Sequence, residues 1–134
     1  MENIDPLPTL PLDHLTILWT NEDSSRTFYR HLLPRLGFRE KRQDIWHDAR
    51  GLFFQFRPAQ DGTRPYERYG AGLNHLGFQA PSREFVEDLH RHMTDAGFEA
   101  RLQKLGGTLA LFMPDPDGLR VEVSHYPEGS DPVD

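Results

Sequence analysis

Residues 73–78 read LNHLGF, and residues 12–17 have already read LDHLTI. Each stretch is leucine, an Asx residue, histidine, leucine, a small or polar residue and a large apolar one, and the histidines stand 61 positions apart. The chain around them repeats too. A helical pattern follows each: roughly 22–33, with Asn21 or Asp23 as cap and acidic residues in its first turn, and roughly 82–96, opened by Ser82. Phe28, Leu32 and Leu36 form an apolar stripe in the first. Phe85, Leu89 and Met93 do so in the second, widened by Val86 and Ala96. Pro34 breaks or tightens the first helix at its end. Gly37-Phe38 and Gly97-Phe98 then supply a left-handed cap and a strand restart, and Arg30-His31 and Arg91-His92 correspond at the same offset.

After the restart each copy gives strand-like runs bounded by turn residues: 38–43, 44–51 and 52–57 in the first, 98–104, 108–113 and 119–126 in the second. The unit reads β-α-β-β-β and occurs twice. The expected fold is α+β: two βαβββ modules in tandem forming a cup-shaped half-barrel, a single domain over 1–134. Module one spans about 11–57 and module two about 73–127. The Gly- and Pro-rich segment 58–72 is the connector, long enough for a rim or lid. The ends, about 1–10 and 127–134, are Pro-rich or acidic and are expected to be loosely held.

Bulk properties narrow the function. The 134 residues carry 15 basic and 21 acidic side chains, a net charge of −6, with no basic stripe to attract nucleic acid. No apolar run is long enough to span a bilayer, and no export signal opens the chain, so no membrane partner is expected and the cytoplasm is the default location. With no cysteine, disulfides, thiolate metal sites and cysteine nucleophiles drop out. Seven histidines leave imidazole and carboxylate as the obvious metal ligands.

Strand alternation sorts the faces. His14 shares a face with Leu12, Thr16 and Leu18. His75 shares one with Gly77 and Gln79, Gln55 with Phe53 and Arg57, and Glu122 with Arg120 and Ser124. The opposite faces are apolar and suit the two helices. A buried, unpaired imidazole or carboxylate costs about 1–3 kcal/mol, which a shared cation offsets. Two histidines and one carboxylate on separate strands form a facial triad, so His14, His75 and Glu122 are the expected ligands of one divalent ion: zinc, iron, manganese, nickel or cobalt. Gln55 holds the slot in module one that Glu122 holds in module two, as an optional fourth ligand or an orienting group. The plainer alternative is a strand histidine satisfied by a hydrogen bond.

The stretches LDHLTI, FYRHLLPRLGF, LNHLGF and DPDGLRVEVSHYP resemble the vicinal oxygen chelate superfamily over about residues 11–127. That group includes glyoxalases, extradiol dioxygenases, thiol-transfer fosfomycin resistance proteins and metal-free bleomycin-binding proteins. The resemblance implies paired βαβββ modules, a homodimer, and a site drawn from one chain or from both. It places a metal on His14, His75 and Glu122. It implies a metal-dependent enzyme, of dioxygenase-like or glyoxalase-like (isomerase, lyase or ring-cleaving) chemistry, acting on a small substrate with adjacent oxygens. The alternative is a metal-free protein that sequesters a small molecule or antibiotic. Gln55 departs from the glyoxalase pattern, because an amide cannot take the proton a carboxylate base would accept. This favours the three-ligand branches. Around the rim, Arg57 and Arg120 are candidates for holding an anionic substrate group, and His47 and Tyr126 for acid–base roles. His31, His90 and His92 are expected at the surface and His125 as structural. Trp46, Phe53 and Phe112 are expected in a pocket or in the core.

Overall fold

The structure, a computed structural model, describes residues 7–130. Module one runs β1 (His14–Trp19), α1 (Glu22–Leu32), a 3-10 turn (Leu33–Leu36), β2 (Arg39–Arg42), β3 (Ile45–His47) and β4 (Phe53–Pro58). Module two repeats it with β5 (His75–Gln79), α2 (Arg83–Asp95), β6 (Arg101–Leu105), β7 (Thr108–Pro114) and β8 (Arg120–His125). Each module makes its own four-stranded sheet, in the orders β1-β4-β3-β2 and β5-β8-β7-β6. In both, the first strand pairs in parallel with the last, and the middle strands are antiparallel. The connector, 59–74, has turns but no strand or helix. The expected ends fall partly outside the described residues, at 1–6 and 131–134; residues 7–10 lie exposed without regular structure.

Local chemistry sets the helix limits. The Asn21 side chain accepts from Ser24 N and that of Ser82 from Phe85 N, each satisfying an otherwise unpaired helix N–H. Gly37 and Gly97 stand at φ 93° and 91°, the left-handed geometry that a Cβ disfavours, and turn each chain into its strand.

The modules pack back to back. One core joins Phe28, Leu32 and Leu33 of module one to Val86, Leu89 and Met93 of α2 and to the apolar faces of both sheets. Phe28 meets Phe98 edge to face, and Phe38 meets Phe78. The polar faces of the two sheets therefore lie on opposite sides of that core. Three expectations need correction. The stripe of α2 is Val86, Leu89 and Met93, with Phe85 half-buried but packed against the same core; Ala96, the residue that caps the helix, is exposed and does not widen it. His31 and His92 are not plain surface groups. The helices meet across the module boundary, where His92 Nε2 lies 3.1 Å from the His31 carbonyl oxygen and both rings are half-buried. His90 is half-buried too.

Candidate functional site

Each repeated histidine is the first residue of its strand, at the sheet's rim. In both copies the preceding Asx residue engages it. Asn74 Oδ1 lies 2.7 Å from His75 Nδ1, and Asn74 Nδ2 donates to the Arg68 carbonyl at 3.0 Å. That second bond fixes the amide, so Oδ1 must accept and His75 Nδ1 carries the proton. In module one Asp13 Oδ2 lies 2.6 Å from His14 Nδ1 and imposes the same tautomer. The Asx-His dipeptide thus turns Nε2 outward as the lone-pair nitrogen in its neutral form, the arrangement that metal-ligating histidines use.

In module two the second group is in place. His75 Nε2 stands 3.6 Å from Glu122 Oε1. Glu122 is only 5% exposed, and its Oε2 accepts from Ser124 Oγ at 2.8 Å. In register across the sheet lie Gly77, Glu122, Phe112 and Arg101, with His75, Arg120 and Pro114 as the adjacent row. The absence of a side chain at Gly77 leaves the space beside Glu122 open; a Cβ there would meet nothing within 4 Å. The Arg120 guanidinium lies 3.6 Å from the Phe112 ring centroid. Burial holds its pKa below the ordinary guanidinium value, helped by repulsion from Arg68 and, less, Arg101, and opposed by Glu122 and Tyr69. Tyr126 follows β8 with the parity of Glu122 and is half-buried. Nδ1 of His125, which has the opposite parity, is buried.

Module one is more open. The His14 side chain is 49% exposed and stacks on Phe53 at 4.8 Å; Phe53 stacks in turn on His47 at 5.1 Å, following the register His14–Phe53–His47. With its amide turned to suit its surroundings, the Gln55 oxygen accepts from Arg57 Nε and Nη2 at 2.9 and 2.8 Å. That pair spends the group expected as an optional ligand. Trp46 is core, 5% exposed. An open groove of ≈ 890 Å³ runs along Thr16 and Leu18, the connector and the Asp115–Leu119 turn, a volume suited to a small ligand, although it holds neither His75 nor Glu122. Within one chain His75 and Glu122 meet and His14 stays apart. Among the described residues no three His, Asp or Glu side chains gather closely enough to hold an ion.

Sequence reading missed a second repeated device. Asp48 Oδ1 accepts from the N–H groups of Arg50 and Leu52, and Asp115 Oδ1 from those of Asp117 and Leu119, each bond 2.9 Å. The two turns, DARGL at 48–52 and DPDGL at 115–119, each end in a left-handed glycine that precedes a leucine and the module's last strand. The signal was the shared Asp-x-x-Gly-Leu. Asp48 Oδ2 adds only an exposed ion pair with Arg50, whereas Asp115 Oδ2 accepts from the buried Tyr29 hydroxyl at 2.7 Å and Asp117 accepts from the Thr20 N–H and hydroxyl. These three bonds lock module two onto module one. Burial pushes Asp115 above the usual carboxylate range despite its donors, and pushes the Tyr29 phenol well up.

Paired βαβββ modules with an Asx-held histidine opening each and a buried glutamate in the second define a class. The model of the Glyoxalase/Bleomycin resistance protein/Dioxygenase superfamily matches residues 11–123, and the chain belongs to that superfamily, the vicinal oxygen chelate proteins. It is similar to YqjT of Bacillus subtilis (strain 168), 26% identical over 84% of this chain and 96% of that protein. A candidate glyoxalase from Bacillus halodurans matches in structure with a TM-score of 0.75 and 25% identity, covering 86% of this chain and 95% of the other. A genomically encoded fosfomycin resistance protein of Listeria monocytogenes shares the fold at a TM-score of 0.67 and 16% identity, over 90% of this chain and 97% of its own. No helix among the described residues is long and apolar enough to cross a membrane.

Proposed function

We propose that the protein is a divalent-metal-dependent enzyme of this superfamily, acting on a small substrate through adjacent oxygens, with a centre completed between two copies of the chain. The observation that carries this reading is the His75–Glu122 pair. Nε2 and Oε1 face each other at 3.6 Å while Nδ1 is tied to Asn74 and Oε2 to Ser124. Each group is oriented from behind, and Nε2 and Oε1 are the donor types that share a divalent cation. His14 is built the same way and fits as the third ligand, but reaches such a site only from a second copy.

Edge chemistry supports that assembly. β1 and β5 are the outer strands of their sheets, each begins with its histidine, and Leu10, Leu12, Leu18 and Leu73 lie exposed on or beside them. Apolar open edges invite pairing. Setting β1 of one copy beside β5 of another, with the two strand starts adjacent, would continue one sheet into the next and bring the two rim histidines together. A closed two-fold pair then makes two such sites.

When bound, the ion would supply Lewis-acid stabilisation of negative charge on substrate oxygens. The chain's own groups orient: Asn74 and Asp13 hold the imidazoles and Ser124 holds Glu122, and in such an assembly Gln55 with Arg57 would belong to the second copy's sheet. Gln55 cannot act as a carboxylate base, which argues against isomerisation of a hemithioacetal by that residue. With an ion held by these residues, the chemistry supplied would suit isomerisation, ring cleavage or nucleophilic opening.

Elemental analysis of the purified protein tests the reading: about one divalent ion per chain, lost in His75→Ala. Coexpression of His14→Ala with Glu122→Gln tests the composite site. Random pairing leaves about a quarter of the sites intact if ligands come from both copies. No recovery in the mixture would place the ligands in one chain. No metal in the unaltered protein, and no change in Tm with chelator, would favour the alternative of a metal-free sequestering protein. The separation of His14 from the pair within one chain is the observation on that side.

A further inference from the structure

We propose that Gly77 is a specificity-determining residue of this centre: its bare backbone seats the carbon frame of a flat chelating molecule, of the hydroxy-carbonyl or hydroxamate class, held beside His75 and Glu122. The inference rests on the metal centre proposed above; the room at Gly77 does not.

The eleven glycines of the chain show why this one stands apart. Eight hold a positive φ that a side chain disfavours. Of the other three, a Cβ on Gly70 would crowd Glu67 at 3.4 Å, and one on Gly107 would strike Pro127 at 2.6 Å. Gly77 has neither reason. Its φ lies outside the left-handed region, and a Cβ would meet nothing within 4 Å. It is the middle residue of β5, where glycine weakens a strand through its backbone freedom and its missing side-chain contacts. Thr16 stands at the corresponding place in β1, 61 positions earlier, so the module plan accepts a branched side chain there. Nothing in the chain itself calls for glycine at 77.

Its position says what the space is for. Gly77 is the register partner of Glu122, and strand alternation puts it on the same face as His75. Its exposed backbone thus borders the pair whose Nε2 and Oε1 stand 3.6 Å apart. A second copy beside β5 does not account for it. Paired strands lie about 4.8 Å apart and carry side chains at every position, because those stand out from the sheet and not toward the neighbouring strand. Only a body lying over the face at Gly77 needs the Cβ gone. A small molecule held through adjacent oxygens beside His75 and Glu122 is such a body, and close approach to the strand requires it to be flat where it meets β5. Glycine at 77 therefore admits planar chelating groups and rejects those branched on that side.

The test uses full-length protein loaded with cobalt(II) and titrated with acetohydroxamate, a flat two-oxygen chelator, followed by the visible absorption of the ion. We expect saturable binding in the unaltered protein. Gly77→Ala should weaken it several-fold and Gly77→Val more than about tenfold, as the added carbons fill the seat. Cobalt affinity should be unchanged in both, because no ligand is touched. The Tm of the metal-free variants should stay level or rise by about 1–4 °C, since a side chain at a compatible strand position restricts the unfolded chain. Stability and binding thus move apart, which a purely structural glycine would not permit. Sedimentation follows the assembly. Unchanged acetohydroxamate affinity in both variants overturns the inference, while bound cobalt leaves the metal centre standing. A fall in Tm or in cobalt affinity that matches the loss of acetohydroxamate overturns it by giving Gly77 a role within the chain. Loss of the assembly overturns it by giving the space to the second copy. Gly77→Ala, the smaller change, decides the matter if the valine variant fails to fold. No cobalt in the unaltered protein removes the metal centre, and this inference with it.

Discussion

Modules one and two share a plan down to single hydrogen bonds, yet differ in what they bury. Both open with an Asx-held histidine, both turn with Asp-x-x-Gly-Leu, and both pair first strand with last. In module two the polar face is closed: Glu122 and Ser124 are both buried, and the turn aspartate takes a buried phenol. In module one the same positions hold Gln55 and Arg57, which satisfy each other, and a histidine half open to solvent. The two modules therefore keep one scaffold and differ in the polar groups they hold. Module two preorganises a pair of oriented donors, while module one presents one donor on an exposed edge.

The contrast breaks most sharply at the residue that distinguishes the two slots. Glu122→Gln gives module two the amide of module one. It removes the only carboxylate of the pair while keeping shape and the bond from Ser124. Losing even an outer partner of a metal ligand typically costs 10–100-fold, so loss of the ligand itself should weaken divalent-metal affinity by more than about 100-fold. Competition against a fluorescent chelator measures it. Unaltered affinity would show that Glu122 holds no ion. The reciprocal Gln55→Glu should not create a second site, because Arg57 is there to neutralise the new carboxylate.

The Asx residues test how much burial adds to one and the same bond. Asn74→Ala releases Nδ1 of a sheltered imidazole and also the connector at Arg68, and we expect metal affinity to fall about 10–100-fold. Asp13→Ala removes the corresponding bond at an exposed site, where solvent screens it, and should cost clearly less. Equal losses in the two variants would mean that exposure of module one is relieved in the assembled protein.

How far the sequence reveals this division depends on the range of each interaction. The helices, their Asn21 and Ser82 caps and the glycines at 37 and 97 are local, and hydrophobic period with turn chemistry predicts them. The ligand candidates follow from alternation and repeat. The back-to-back packing does not: nothing near His14 in the chain shows that its sheet faces away from Glu122. That is decided by contacts such as Phe28 with Phe98, which join residues far apart in sequence. The twin aspartate turns were legible in DARGL and DPDGL. They escaped because the segments before them differ in length, so one offset does not superpose histidines and turns together. The surroundings of Arg120 were half legible. Arg120 is placed by parity, but Arg68, which repels it, arrives on an irregular loop whose course no periodicity encodes.

Stability offers a comparison independent of any ligand. Tyr29→Phe deletes a hydroxyl and strands Asp115 Oδ2 at the module boundary, a loss of about 1–3 kcal/mol in urea unfolding. Asp48 has no such phenol, and Asp48→Asn leaves an amide oxygen to accept from Arg50 and Leu52, so that variant should stay within about 0.5 kcal/mol. Equal losses in the two would show that the Tyr29 bond is not what joins the modules.

The smallest effect is a change of slope with pH. Burial raises Asp115 above the ordinary carboxylate range in the folded protein, so the folded chain still holds a proton there when the unfolded chain has released it. The group's contribution is fully present below the unfolded carboxylate value, about 3.9, and is lost as pH rises through the higher folded value. Tyr29 plays no part in that window, because its phenol is raised well above its ordinary value and stays neutral throughout. Asp115→Asn cannot ionise, can still accept from the N–H groups of Asp117 and Leu119, and can pair with the Tyr29 hydroxyl through its amide. Its unfolding free energy should therefore climb more steeply with pH across that window than that of the unaltered protein, by less than the Tyr29→Phe loss. Denaturant midpoints taken at several pH values across the window would reveal it. Parallel curves for the two proteins would mean that the donors around Asp115 outweigh its burial, and that the module boundary is stitched by an ordinary ionised carboxylate.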